Sequence, residues 1–379
     1  MEAVFFAGAF QALFFALIIL NKKNKQTADN ILGIWLTMLA VTLFGSFLFY
    51  REVSFSNSVS LILIIGSMAS QPVWFYLYTC SITEKSKSFQ IRELLHFIPV
   101  IIVIVLFIPF YKLDAQQIDG IYNRTVTIPK LTLFGGIPLF GIIYIYIILS
   151  LIRIRIHKKK LKYIYSYEEE IDLNWLLKLT YSFLIIVVFT LITSGSYFLT
   201  DTKNFRIFDY LIGVCYVGFV FALGYFGHKQ GKIFNHSNSV PEVPSKMSVS
   251  IKSTSGRNME VEEYASMATQ LSNYAIANKP WLKEKISLYD LAHELDLTSH
   301  QLSSLLNDYL ETSFYDYINH HRVEEVKRRL KDNNNQFTFL AIALECGFNS
   351  KASFNRIFKQ KTGLTPSEYI KANKNYKYF

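Results

Sequence analysis

A polar stretch near the C-terminus has the residue types and spacing needed to read the edges of DNA bases. Residues 346–369 read CGFNSKASFNRIFKQKTGLTPSEY, which predicts a turn, a basic helix, a glycine stop and a capped final helix. Arg356 can donate two hydrogen bonds to guanine, and Asn355 can pair with the edge of adenine. The other base-facing candidates on this helix are Ser350, Lys351 and Ser353. The alternative is that these side chains form an ordinary solvated helix face.

Nearby basic side chains are candidates for a second kind of DNA contact. Contacts to phosphates fix the position and orientation of a protein on the duplex, but they carry no direct sequence information. The candidates for phosphate binding are Lys359, Lys361 and Arg322. The first two lie on the predicted basic helix, and the third lies on a long amphipathic connector that precedes it.

Two similar helix-turn-helix units in residues 259–379 are predicted to position these side chains. They cover about 287–310 and 339–361, and each contains a capped helix, a tight turn and a second capped helix. In the first unit, Thr298 with Gln301 forms the capping pair of the second helix. The base-facing candidates of the first unit are His300, Gln301, Ser303, Ser304 and Asn307.

The two units differ in charge. Residues 257–316 contain 4 basic and 10 acidic residues, whereas residues 317–379 contain 12 basic and 5 acidic residues. Because attraction to phosphates depends on positive charge, the DNA footprint is predicted to be uneven. We therefore expect the second unit to anchor the protein on DNA and the first to read weakly, through neutral side chains.

Seven apolar runs precede this tail and predict a membrane domain. They cover residues 3–20, 31–50, 59–82, 94–111, 131–152, 176–199 and 207–226. Each run is 18 to 24 residues long, which suits a helix that crosses a hydrocarbon core of about 30 Å. The alternative, buried core helices of a soluble protein, is disfavoured because seven such runs with almost no charged face would have to pack together.

The distribution of basic residues predicts the orientation in the membrane. With the N-terminus outside, the inner loops hold 14 basic residues and the outer loops hold 6. We therefore predict a multi-pass protein of the cytoplasmic (inner) membrane, with its C-terminal domain in the cytoplasm. The first run is predicted to be a retained span, because no basic residue precedes it and no small-residue cleavage site closes it. The serine-rich residues 228–258 predict a flexible cytoplasmic linker.

The tail resembles the AraC family of bacterial transcription regulators over about residues 264–372. The motifs that carry the resemblance are IALECGFNSKASFNRIFK, TGLTPSEY and, in the connector, FYDYINHHRV. The whole chain further resembles the subgroup of that family with a multi-span N-terminal membrane domain. The resemblance implies two recognition helices that enter adjacent major-groove segments of promoter DNA, and RNA polymerase as a partner. Asp296 departs from the glycine common at its position, but aspartate tolerates a left-handed backbone.

The sequence therefore predicts an all-α protein with three parts. These are a seven-transmembrane helix bundle (residues 1–227), the linker (228–258) and a soluble all-α double helix-turn-helix domain (259–379). The predicted function is a membrane-anchored, sequence-specific transcription regulator whose membrane domain senses an envelope or small-molecule signal. The predicted partners are double-stranded promoter DNA, membrane lipid, an unknown ligand or membrane protein, and a second copy in a homodimer.

Two other classes of function stay open. One is a transporter or membrane enzyme with a regulatory DNA-binding tail, although no inverted repeat with broken helices is evident. The other is a scaffold whose tail holds protein partners. No glycine-rich phosphate loop, HExxH motif or nucleophile elbow occurs, so the sequence predicts neither an enzyme nor a cofactor. Its three cysteines and the His320-His321 pair form no metal motif.

Overall fold

The computed structural model is helical in the part of the chain that it describes. It describes residues 2–50, 58–83, 90–108, 130–167, 173–199, 206–235, 261–330 and 338–372. Over these ranges the β-structure is limited to one isolated antiparallel bridge, between Tyr165 and Ser287. The prediction of an all-α protein is confirmed for these residues.

The chain folds into two compact units. One unit is formed by Met1–Arg155 and Leu173–Glu242, and the other by Ile156–Asp172 and Val243–Phe379. The second unit therefore includes a segment, Ile156–Asp172, that is flanked in sequence by two stretches of the first unit.

The first unit consists mainly of long apolar helices. They are α1 (Glu2–Leu20), α2 (Thr27–Tyr50), α3 (Ser58–Thr83), the shorter α4 (Ile98–Leu106), α5 (Lys130–Leu161), α6 (Asn174–Leu199) and α7 (Arg206–Asn235). The end of α5, from Ile156 on, belongs to the second compact unit. A 3₁₀ turn, Ile91–Phe97, leads into α4.

Five of the seven predicted spans correspond to helices that could cross a membrane by their length and composition. The helical segments long and apolar enough to cross a membrane are Glu2–Leu20, Thr27–Leu48, Leu139–Leu161, Asn174–Thr193 and Tyr210–Lys229. The third predicted run forms the continuous helix α3, which contains Pro72. The fourth is divided between the 3₁₀ turn and the nine-residue α4, and its end lies outside the described residues. The predicted seven-span bundle is thus corrected to five candidate spans within the described ranges.

Buried polar side chains join α2 to α3 inside the first unit. Gln71 is 4% exposed, and its Oε1 accepts a hydrogen bond of 2.8 Å from Nε1 of Trp35. Its Nε2 donates to Oγ1 of Thr42 at 3.1 Å. Buried polar groups are stable in an apolar interior only when they find such partners. The outer surface is apolar instead: Phe10 is 69% exposed and Ile185 is 67% exposed.

The second unit contains the remaining helices. They are α8 (Val261–Asn278), α9 (Leu288–Glu294), α10 (Ser299–Ser304), α11 (Phe314–Leu330), α12 (Phe339–Glu345), α13 (Lys351–Thr362) and α14 (Pro366–Ala372). A π turn, Leu305–Tyr309, continues α10. One apolar cluster packs α8 to α10 against the start of α11, and a second packs α12 and α13 against the rest of α11.

The predicted linker begins later than the sequence suggested. Helix α7 continues to Asn235, so residues 228–235 of the predicted flexible segment are helical. Residues 236–258 lie outside the described residues. The division of the chain into membrane domain, linker and DNA-binding domain otherwise stays a prediction.

Candidate DNA-binding surface

The second helix-turn-helix unit presents the polar side of α13 to solvent. Ser350 caps this helix, because its side chain accepts a hydrogen bond from the backbone N–H of Ser353 at 3.2 Å. The apolar side of α13 is buried, whereas Asn355 and Arg356 are exposed. The buried residues are Phe354, Ile357 and Phe358. This is the division between inner and outer faces that the helical period predicts.

The turn between α12 and α13 depends on a glycine. Gly347 has φ = +90°, a backbone conformation that side chains with a Cβ rarely adopt. A Cβ atom at this position would also collide with the carbonyl oxygen of Trp281 and lie 3.1 Å from that of Leu282. Gly347 therefore allows the turn to pack closely against the segment that leads into the first helix-turn-helix unit.

Arg356 is exposed but held by a buried tyrosine. Its Nη2 donates a hydrogen bond of 3.0 Å to the hydroxyl oxygen of Tyr315, which lies on α11 and is 2% exposed. Such an anchor reduces the number of rotamers available to a long side chain, and so reduces the entropy lost when it binds. The role of Tyr315 could not be predicted from the sequence, because its apolar ring fits the core pattern of α11 and its hydroxyl leaves no signal in that pattern.

The remaining candidates on α13 differ in how accessible they are to a DNA phosphate or base. Lys351 and Lys359 are exposed, and Ser353 is half-buried. Lys361 forms an ion pair of 3.1 Å with Asp316 on α11. A phosphate would have to compete with this carboxylate, although exposed ion pairs contribute only about 0–1 kcal/mol.

The first helix-turn-helix unit has the predicted caps and turn. Ser287 with Asp290 forms the capping box of α9, and Thr298 with Gln301 forms that of α10. Asp296 has φ = +54°, so it takes the left-handed conformation expected at this turn.

Three of the predicted base-facing residues on α10 and the π turn that continues it are engaged within the protein. Oε1 of Gln301 accepts hydrogen bonds from the backbone N–H of Thr298 at 2.9 Å and from its hydroxyl at 2.8 Å. Ser303 is only 5% exposed, and its hydroxyl accepts a bond of 3.0 Å from Nδ2 of Asn307. The prediction that Ser303 faces outward is therefore wrong, because it lies on the inner side of the helix. His300 is exposed and Ser304 is half-buried.

Arg322 is buried, which corrects the prediction that it binds phosphate. Only 1% of the residue is exposed, and its guanidinium donates to backbone carbonyls: Nε to Trp281 at 2.9 Å, and Nη2 to Lys283 at 2.8 Å and Glu284 at 3.0 Å. Burial lowers the pKa of Arg322 to about 10, so it remains charged at neutral pH. Its carbon atom Cζ lies 5.9 Å from the centre of the Phe348 ring, beside the turn of the second unit.

We call this arrangement the joint. It consists of Arg322, the segment 281–284, whose backbone carbonyls accept hydrogen bonds from Arg322, and the turn residues 347–348. The segment 281–284 leads into the first helix-turn-helix unit, the turn belongs to the second, and Arg322 lies on the connecting helix α11. The buried side chain of Arg322 thus contacts both helix-turn-helix units.

Comparison with known proteins agrees with this architecture. Residues 291–372 match the helix-turn-helix domain family. The chain is 30% identical over 109 residues to the raffinose operon transcriptional regulatory protein RafR of Pediococcus pentosaceus, covering 28% of this chain and 38% of RafR. It is 35% identical over 86 residues to an uncharacterised HTH-type transcriptional regulator of Staphylococcus aureus (strain COL), covering 23% of this chain and 11% of that protein.

The family match lies within the second compact unit. The chain spans less than two fifths of the length of either relative. No solved structure matches the chain. The C-terminal unit is thus a helix-turn-helix domain of the kind found in transcription regulators, as the sequence analysis predicted.

Proposed function

We propose that this protein is a membrane-anchored transcription regulator that binds promoter DNA in a sequence-specific way. The observation that carries the proposal is α13, which exposes Asn355 and Arg356 on one side and buries its phenylalanines on the other. A helix that follows a tight turn and exposes such side chains can enter a major groove, where guanine and adenine edges are distinguishable.

The two helix-turn-helix units have different roles in DNA recognition. Helix α13 supplies Arg356, Asn355 and the exposed Lys351 and Lys359, so it provides both base contacts and charge. Helix α10 offers His300 and Ser304 as its more accessible groups, and it carries no arginine or lysine. The second helix-turn-helix unit therefore anchors the protein on DNA, and the first helix-turn-helix unit refines the choice of DNA site. Paired recognition helices of this kind reach successive major-groove segments about 34 Å apart.

The apolar unit serves as the membrane anchor in this proposal. Five helices have the length and hydropathy of membrane spans. Their outward-facing surface is apolar, and such a surface is unfavourable in water but suited to contact with lipid. The positive charge of the predicted inner loops supports an inner-membrane location with the N-terminus outside and the C-terminal unit in the cytoplasm. The anchor senses an envelope or small-molecule signal, and RNA polymerase and a second copy are the further partners.

Alanine substitution on α13 is expected to separate base reading from phosphate binding. Arg356→Ala should lose about 1–3 kcal/mol of discrimination at one position of the site, because a bidentate contact to guanine is lost. Lys359→Ala should weaken binding to all sequences alike and lower the salt dependence by about one phosphate contact. Both effects are measured by titrating specific and shuffled DNA with each variant. Equal losses on both DNAs for Arg356→Ala would remove its assignment as a base-reading residue.

A further inference from the structure

The loop segment 162–166 is part of the second compact unit, although the helices on either side of it lie mostly in the first. It follows directly after α5 in sequence. Its side chains alternate in burial as in a β-strand: Ile164 is 3% exposed and Ser166 is 1% exposed, whereas Tyr163 and Tyr165 are half-buried. We call residues 162–166 the docked segment.

Backbone hydrogen bonds attach the docked segment to the starts of two helices. Tyr165 and Ser287 form the isolated antiparallel bridge, with the N–H of Leu288 donating to the carbonyl of Ile164 at 2.8 Å. The N–H of Tyr315 donates to the carbonyl of Lys162 at 3.0 Å. The first amides of a helix have no partner within the helix. The docked segment therefore satisfies one such donor at the start of α9 and another at the start of α11.

Ser166 connects the docked segment to the joint. Its carbonyl accepts hydrogen bonds from Nδ2 of Asn319 at 3.1 Å and Nη1 of Arg322 at 3.2 Å. Its hydroxyl donates to the carbonyl of Ile286 at 2.8 Å and accepts from Nη2 of Arg322 at 3.3 Å. The guanidinium of Arg322, which contacts both helix-turn-helix units, thus also binds the docked segment.

We propose that the docked segment couples the apolar unit to DNA binding, by holding the joint in the arrangement in which both recognition helices fit the duplex. This inference rests on the proposed DNA-binding function. Withdrawal of the segment would leave the buried donors of Arg322 and Asn319 with fewer acceptors, which is unfavourable. The joint would loosen, and binding to paired groove segments would weaken. A change in α5 therefore reaches the reading helices without passing through residues 236–258.

A matched pair of substitutions tests whether docking supports DNA binding. In the full-length protein in lipid nanodiscs, Ile164→Asn places a polar amide in a buried site, whereas Tyr163→Asn places it on the adjacent, outward side. The probe is a DNA fragment that the wild-type protein enriches from its own genome. Ile164→Asn should bind this fragment about tenfold more weakly, the upper range of measured coupling effects. Tyr163→Asn should bind within about threefold of the wild type.

A reversible crosslink tests the same contact without disturbing its core. Tyr165 and Ser287 lie opposite each other but share no hydrogen bond, because the bonds of the bridge join their neighbours. The Cα atoms of such an antiparallel pair lie about 4.5 Å apart, which is within the range for a disulfide. Tyr165→Cys with Ser287→Cys should therefore crosslink on oxidation. Cys80 and Cys215 are replaced by serine beforehand, while the buried Cys346 stays, because burial raises the pKa of its thiol to about 11. The oxidised protein should bind the fragment at least as tightly as the reduced protein, with Ser287→Cys alone as the control for the lost cap.

Each outcome decides for or against the coupling. The proposed coupling would be overturned if oxidation gave no crosslink, if Ile164→Asn bound DNA more tightly, or if oxidation released the DNA. Either of the last two results would mean that the docked segment inhibits DNA binding. Wild-type affinity for Ile164→Asn would overturn it as well. Failure of the proposed function is distinct: the wild type would then enrich no fragment, while crosslinking would still report whether the segment docks.

Discussion

Replacing Gly347 with alanine is expected to destabilise the C-terminal unit by about 3 kcal/mol, through backbone strain and overpacking together. The φ of +90° is unfavourable for any residue with a Cβ, and the added atom would meet the carbonyl oxygen of Trp281. Because a backbone atom is the obstacle, the clash cannot be relieved by a change of rotamer. Resistance of the full-length protein to a brief protease pulse in increasing urea measures this loss.

Gly363 provides the matched control for that prediction. Its φ is +77°, but within the described part of the chain no atom other than those of its chain neighbours lies within 4 Å of the position that its Cβ would take. Gly363→Ala therefore carries the backbone cost alone, about 1 kcal/mol. Equal destabilisation by the two substitutions would mean that the close approach between the turn and residue 281 does not stabilise the unit.

Replacing Arg322 with methionine is expected to cost about 3–5 kcal/mol of stability in the same unit. The substitution keeps an unbranched side chain but removes the donors to the carbonyls of Trp281, Lys283 and Glu284. These carbonyls, of which that of Trp281 is buried, would be left without their charged partner. The same urea and protease measurement applies, with the exposed Lys359→Met as control, for which a change within about 0.5 kcal/mol is expected.

The result for Arg322 also distinguishes a structural role from phosphate binding. A phosphate contact would weaken DNA binding and leave the urea midpoint unchanged. A lower urea midpoint together with weaker DNA binding would support the structural role of Arg322 in the joint. An unchanged midpoint would restore the interpretation that the sequence analysis favoured.

Local patterns in the sequence predicted the second helix-turn-helix unit well. The 3.6-residue period placed Phe354 and Phe358 inside and Arg356 outside, and the capping residues marked the helix starts. The predicted tight turn before the basic helix contains Gly347, whose positive φ is a conformation that glycine adopts without strain. These features depend on residues close together in the chain, and so they could be read without the tertiary structure.

The errors concern contacts between residues far apart in sequence. Arg322 and Lys359 are both basic residues on amphipathic helices, and only the packing of residues 281–284 shows that one is buried. Ser303 was placed outside because serine is compatible with either face of a helix. The docked segment could not be predicted, since its partners lie more than a hundred residues away and its alternation extends over only a few residues.

The membrane-type region was predicted in outline. Hydropathy located the apolar helices, because long uncharged runs are nearly unambiguous. It did not anticipate that the fourth run would be interrupted by the 3₁₀ turn before α4, since hydropathy is insensitive to local backbone geometry.

Binding of the full-length protein to DNA at several salt concentrations tests the central claim most directly. In lipid nanodiscs, the protein is titrated with a fragment it enriches from its own genome and with a shuffled fragment of equal composition. We expect a preference for the enriched fragment of at least about a thousandfold. Affinity should fall by roughly a thousandfold between about 50 and 200 mM salt, as phosphate contacts are screened. Equal affinity for both fragments, or affinity independent of salt, would contradict the assignment of this protein as a sequence-specific DNA-binding regulator.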